Sequence, residues 1–130
     1  MSTTEPEVKI PKKIHLYDKN HVLQTWTIER VKQTLLTNDE ALKRAISLIY
    51  SFQTTEEKNH EGTIDSNGKG FSALDGYLMS SFAEQLLTKG WLSRRQLDIA
   101  RRRMPKYAKQ VYITLIPKSV NTIGKQLSIL

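Results

Sequence analysis

The apolar positions of this chain change period once, near residue 27. Before that point, Ile14, Leu16 and Tyr17 are separated from Val22 and Trp26 by Asp18, Lys19 and Asn20. Strand-compatible runs around turn-compatible residues predict a small N-terminal β-hairpin. From Thr27 onward the period is helical. Thr27 can cap a short helix ending near Leu36, and Asn38 a longer one, with Asp39 and Glu40 set against the positive end of its dipole. Leu42, Ala45, Ile46, Ile49 and Phe52 form the core stripe of that second helix. It is expected to fray through QTTEEKNHEG into a polar loop, where Asn67, Gly68 and Gly70 suit positive φ. Ser72 with Asp75 reads as a capping box that opens a helix through Leu78, Phe82, Ala83 and Leu86, closed by Gly90. A second capping box, Ser93 with Gln96, opens the last helix, which runs to about Leu115 and is kinked or divided by Pro105.

These elements make the chain mainly α: a compact bundle of four or five helices, with the hairpin before it and an irregular C-terminal tail. With 130 residues there is room for one domain and its core. The expected division is a disordered arm at 1–12, where Pro6 and Pro11 oppose regular structure, a single helical domain at 13–115, and an apolar tail at 116–130 that packs, pairs as a strand or meets a partner. No internal repeat is visible.

Composition narrows the chemistry. The chain has no cysteine, which removes disulfides, thiolate metal sites and thiol nucleophiles and makes a reducing cytoplasm, bacterial or host, the simplest setting. Its first residues lack the apolar core of a secretory signal, and no apolar run of about 18 residues occurs, so no membrane association is expected.

The net charge of +7 favours a polyanionic partner, and its placement is more telling than its size. On a helical wheel, Leu97, Ala100, Met104, Tyr107, Ala108 and Val111 share one stripe. Arg95, Arg102, Arg103, Lys106 and Lys109 project from the opposite side, with Arg94 and Arg101 towards one flank. These seven cations stand against Asp98 alone, so one segment accounts for six of the seven net positive charges. Like charges three and four residues apart repel by a few tenths of a kcal/mol, roughly, per pair. A negatively charged partner relieves that repulsion, and the arginine fork suits phosphate oxygens. Two other readings stand beside nucleic acid: an acidic protein partner, or a face that is solvated or paired internally with Glu56, Glu57, Asp65 or Asp75. Contacts of this kind are to phosphates and carry little sequence information. Tyr107 and Tyr112 would stack on bases only if exposed, and the position of Tyr107 on the apolar stripe favours core packing.

Other motifs fail on their own chemistry. DSNGKG begins like a calcium loop with Asp65, Asn67 and Gly70, but Lys69 and Gly76 stand where oxygen ligands are needed. Read as a phosphate loop, the same stretch has Thr63 in place of the first glycine and Gly70 in place of the magnesium-binding hydroxyl. His15, His21 and His60 are too scattered for zinc, although His15 and His21 could face each other across the hairpin. Glu56, Glu57, Asp65 and Asp75 form no recognisable nuclease constellation. Neither a cofactor nor an enzymatic activity is expected.

The succession YSFQTTEE, NGKGFSALDGYLMSSFAEQLL and LSRRQLDIARRRMPKYAKQV resembles a short helical module of phage and mobile-element proteins, sometimes beside or within DNA helicase-like proteins. It covers about residues 38 to 111. The resembling positions are Tyr50, Gln53, Thr54, Asn67, Gly68, Gly70, Phe71, Asp75, Ser80, Ala83, Gln85, Leu92, Ser93, Gln96, Ala100, Arg101, Lys106 and Tyr107. The resemblance implies a DNA-associated or phage-defence setting and brings no active site. The expected function is therefore that of an accessory protein binding DNA or RNA through Arg94, Arg95, Arg101, Arg102, Arg103, Lys106 and Lys109. The alternative is a phage or mobile-element regulator, inhibitor or enhancer, docking on a nucleic-acid-processing complex such as a CRISPR nuclease, through the hairpin or the tail residues Ile129 and Leu130. A homodimer is compatible with either.

Overall fold

Strands β1 (Ile14–Tyr17) and β2 (Leu23–Trp26) pair antiparallel in the computed structural model, which describes residues 10–59 and 69–121. The register sets Ile14 opposite Trp26 and Tyr17 opposite Leu23. Asp18 builds the turn between them. Its carboxylate accepts from the backbone N–H of Asn20 at 2.8 Å and of Val22 at 3.0 Å, and His21 takes the left-handed conformation at φ 59°. His15 pairs instead with Thr25, its ring nitrogen 3.0 Å from the Thr25 hydroxyl, so the two histidines do not face each other.

Among the described residues five α-helices follow: α1 (Ile28–Thr37), α2 (Asp39–Asn59), α3 (Ala73–Lys89), α4 (Arg94–Arg103) and α5 (Ala108–Leu115). Thr27 and Asn38 cap as expected, accepting from the N–H of Arg30 and of Ala41, each at 3.0 Å. Fraying does not begin at Gln53. Its side chain accepts from Phe71 N–H at 3.3 Å and donates to Ser80 at 3.2 Å, and the α2 backbone stays helical to Asn59. Gly90 ends α3 at φ 81°, as its sequence position predicts.

Pro105 divides the last helix. Residues Met104–Tyr107 tighten into a 3-10 turn joining α4 to α5, because proline lacks the N–H that an α-helix needs there. A second 3-10 turn, Ile116–Lys118, leads to Val120, which bridges His15 on the free edge of β1 through a 2.8 Å hydrogen bond. The start of the predicted tail thus adds to the hairpin. The arm at 1–9, the loop residues Asn67 and Gly68, and the tail at 122–130 lie outside the described residues.

The core forms where the stripes meet. Leu35, Leu42, Ile46, Ile49, Met79 and Met104 are fully enclosed, α2 packing chiefly on α3 and α1 on α5. Tyr107 and Tyr112 are buried among them, so neither is available to stack on a base. Tyr112 donates to the carbonyl of Pro11 at 2.5 Å, fastening the chain ahead of the hairpin to α5. Among the described residues, no helix is long and apolar enough to cross a membrane.

Candidate nucleic-acid interface

The α3–α4 connection places the basic segment. Gly90 lets the chain reverse, and Ser93 then caps α4 in a complete capping box: Gln96 N–H donates to Ser93 Oγ at 3.1 Å and Ser93 N–H to Gln96 Oε1 at 2.8 Å. Gln85 of α3 exchanges amide hydrogen bonds with Gln96 at 3.1 and 2.8 Å, fixing the start of α4 against α3. At the far end of α4 the tie is ionic.

Asp75 is that tie. It sits in the first turn of α3, fully buried, and its carboxylate meets Arg103 Nη1 at 2.7 Å, Lys106 Nζ at 2.6 Å and the Tyr107 hydroxyl at 2.6 Å. Burial alone would raise the Asp75 carboxyl. The hydrogen bonds from Lys106, Tyr107 and Arg103 outweigh that cost and hold it at about 2, against an ordinary 3.8. The capping box expected of Ser72 and Asp75 is therefore not formed. Ser72 occupies the cap position without a side-chain cap bond, because charge-assisted partners from α4 and the 3-10 turn have drawn the Asp75 carboxylate inward. Ser72 N–H donates instead to the Tyr107 oxygen at 2.9 Å. Burial, followed by the neighbouring Asp75, pushes the Tyr107 hydroxyl up, so it remains a donor.

The seven predicted cations consequently divide. Arg101 is turned inward: it pairs with Asp39 at the start of α2, lies 3.6 Å from Asp98, and keeps only 22% of its side chain exposed. Among the described residues its Nε is buried without a hydrogen-bond partner, at a cost of about 1–3 kcal/mol. Arg103 and Lys106 share Asp75 yet remain 36% and 50% exposed, so that pair of cations still presents one uncompensated charge. The remaining four, Arg94, Arg95 and Arg102 on α4 and Lys109 on α5, are exposed, and none forms an ion pair among the described residues. Arg102 makes one long contact, 3.4 Å from its Nε to the Asp98 carbonyl. Counting Asp39, Asp75 and Asp98 against the seven cations leaves four net positive charges on this face.

Internal pairing with Asp75 was among the readings open from the sequence. Which cations it would claim was not visible, since an aspartate three residues after a serine reads equally as a cap. The Asp39 partnership of Arg101 gave no signal at all, because 62 residues separate the two. Side chains of Glu56, Glu57 and Asp65, the other named candidates, lie outside those described. Position within α4 also accounts for part of the clustering: Arg101, Arg102 and Arg103 fall in its last turn, where cations complement the helix dipole by about 0.3–1 kcal/mol each.

No group of three or more histidine, aspartate or glutamate side chains is placed to hold a metal ion among the described residues. Compared with protein-family models, with curated proteins and with solved structures, the chain shows no match.

Proposed function

We propose that this chain is a non-enzymatic accessory protein that binds nucleic acid through phosphate contacts from the α4–α5 face. One observation carries the reading: Arg94, Arg95 and Arg102 on α4, which is anchored near one end by Gln96 and near the other by Asp75, and Lys109 on α5, are exposed and without ion pairs among the described residues. Each such cation set against a phosphate releases a condensed counterion, which supplies affinity and makes it depend on salt. Arg103 and Lys106 add the one charge that Asp75 leaves uncompensated. Arg101, expected to contribute, acts here as a tie between α4 and α2. A cysteine-free chain of this charge suits the cytoplasm, where nucleic acid is the abundant polyanion.

Fluorescence anisotropy with single-stranded DNA, duplex DNA and structured RNA across a salt series tests the reading. Four or five phosphate contacts give a log–log slope of affinity against salt of about −4 on a duplex. Affinity independent of salt on all three nucleic acids rejects it.

A second reading, docking on a nucleic-acid-processing complex as a phage or mobile-element regulator, is favoured by the outer face of α3. Leu74 and Tyr77 stand there 83% and 91% exposed, beyond what a free helix face needs to leave uncovered. Retention of a nuclease-resistant protein partner that a Leu74→Ser, Tyr77→Ser variant loses would support it.

A further inference from the structure

The hairpin and helices α1, α2 and α5 line an open groove of about 1010 Å³, whose lining includes the core residues Val31, Leu35 and Ala45, at the upper end of the roughly 300–1,000 Å³ range of small-molecule sites. Its walls are half-buried Leu16, Trp26, Phe52, Val111 and Leu115, apolar side chains that pack on the core yet keep surface towards the groove. The lip is cationic. Arg30 is held over the Trp26 ring at 4.2 Å and against the Thr25 carbonyl at 2.5 Å, while Arg44 and Lys118 are exposed with no ion pair among the described residues. Among the described residues one carboxylate, Asp18, also lines the groove, and its oxygens are committed to the N–H groups of Val22 and Asn20 and to the Gln24 amide.

We infer that this groove is a binding site for a free single-chain anionic amphiphile of the long-chain carboxylate class. An apolar trough under three cations, whose one carboxylate among the described residues is already hydrogen-bonded, is complementary to an alkyl chain ending in a negative headgroup. The chain lies along Leu16, Trp26, Phe52 and Leu115, and the carboxylate meets Arg44 and Lys118. Trp26 in the wall supplies the signal, and none of the cations proposed to meet phosphate on α4 and α5 lines the groove.

The test is titration of the full chain carrying Trp91→Phe, which leaves Trp26 as its single tryptophan, with octanoate, decanoate and laurate below their micellar concentrations. Saturable change in Trp26 emission is expected, with affinity rising about three- to four-fold per added methylene. An Arg44→Ala, Lys118→Ala variant, both sites being exposed, should lose about ten-fold in laurate affinity, and dodecyltrimethylammonium should bind at least ten-fold more weakly than laurate. Absence of a response in the full chain overturns the proposal, whether residues 122–130 or a second copy fill the groove. Equal binding of anionic and cationic amphiphiles also overturns it. So does recruitment to phosphatidylglycerol vesicles without a response to free laurate.

Discussion

Tyr107 donates its hydroxyl hydrogen to Asp75 at 2.6 Å, and through this contact the 3-10 turn forced by Pro105 is bound to the first turn of α3. The same carboxylate holds Arg103 and Lys106, so the geometry of the basic face depends on one buried acid. Replacing Asp75 by Asn keeps the volume and removes the charge. Unfolding stability should fall by about 2 kcal/mol, limited because the freed cations can turn to solvent. Affinity for nucleic acid at low salt should rise, since one negative charge leaves the face. Denaturant titration and anisotropy on the same variant check both signs.

Acid sensitivity follows from the depressed Asp75 carboxyl. The folded state favours its ionised form, so the contribution is complete above about pH 4 and is lost as the pH falls through about 2. Asp75 should account for a loss of about 2 kcal/mol across that window, by which the Asp75→Asn profile should be flatter between those limits. Stability measured by urea unfolding at pH 4, 3 and 2 reads the difference directly.

Tyr107→Phe isolates the hydroxyl. It leaves the ring against Phe71, whose centroid lies 5.4 Å away, but strips a donor from Asp75 and an acceptor from the Ser72 N–H. A loss of about 1–2 kcal/mol is expected, together with an upward shift of the Asp75 carboxyl observable by carboxyl-carbon NMR titration. An unchanged titration would show that the hydroxyl contributes nothing to holding the charge.

Gln96→Ala removes two functions with one side chain, the return bond of the capping box and the paired amide contact with Gln85. Thermal denaturation should register about 1–2 kcal/mol, and Gln85→Ala in the same background should add less than it does alone, because the two share those bonds.

Most of the fold was legible because its signals are local. Thr27, Asn38, Ser93 with Gln96, and Gly90 each mark a boundary by chemistry that acts within a few residues, and the structure places each one there. The stripe Leu42, Ala45, Ile46, Ile49 and Phe52 faces the core because a 3.6-residue period leaves it nowhere else to go. What escaped was set by distance in sequence. Gln53 continues α2 through contacts with Phe71 and Ser80, and Asp75 abandons a local cap for partners 28 to 32 residues away. The same limit applied to the candidate site: the wheel separated the basic side from the apolar side, but only the packing of α4 on α2 and α3 separates the inward-tied Arg101 from the exposed Arg102.

The proposed function assigns binding to phosphate to the exposed cations, and not to those tied inward. Salt-series anisotropy on duplex DNA should be compared between an Arg94→Ala, Arg95→Ala, Arg102→Ala, Lys109→Ala variant and a single Arg101→Ala variant, each first shown to be folded by circular dichroism. The quadruple variant is expected to lose most of the salt dependence, its log–log slope moving from about −4 to about −1, while Arg101→Ala keeps the wild-type slope. A wild-type slope near zero, or one that the quadruple variant leaves unchanged, would contradict the account.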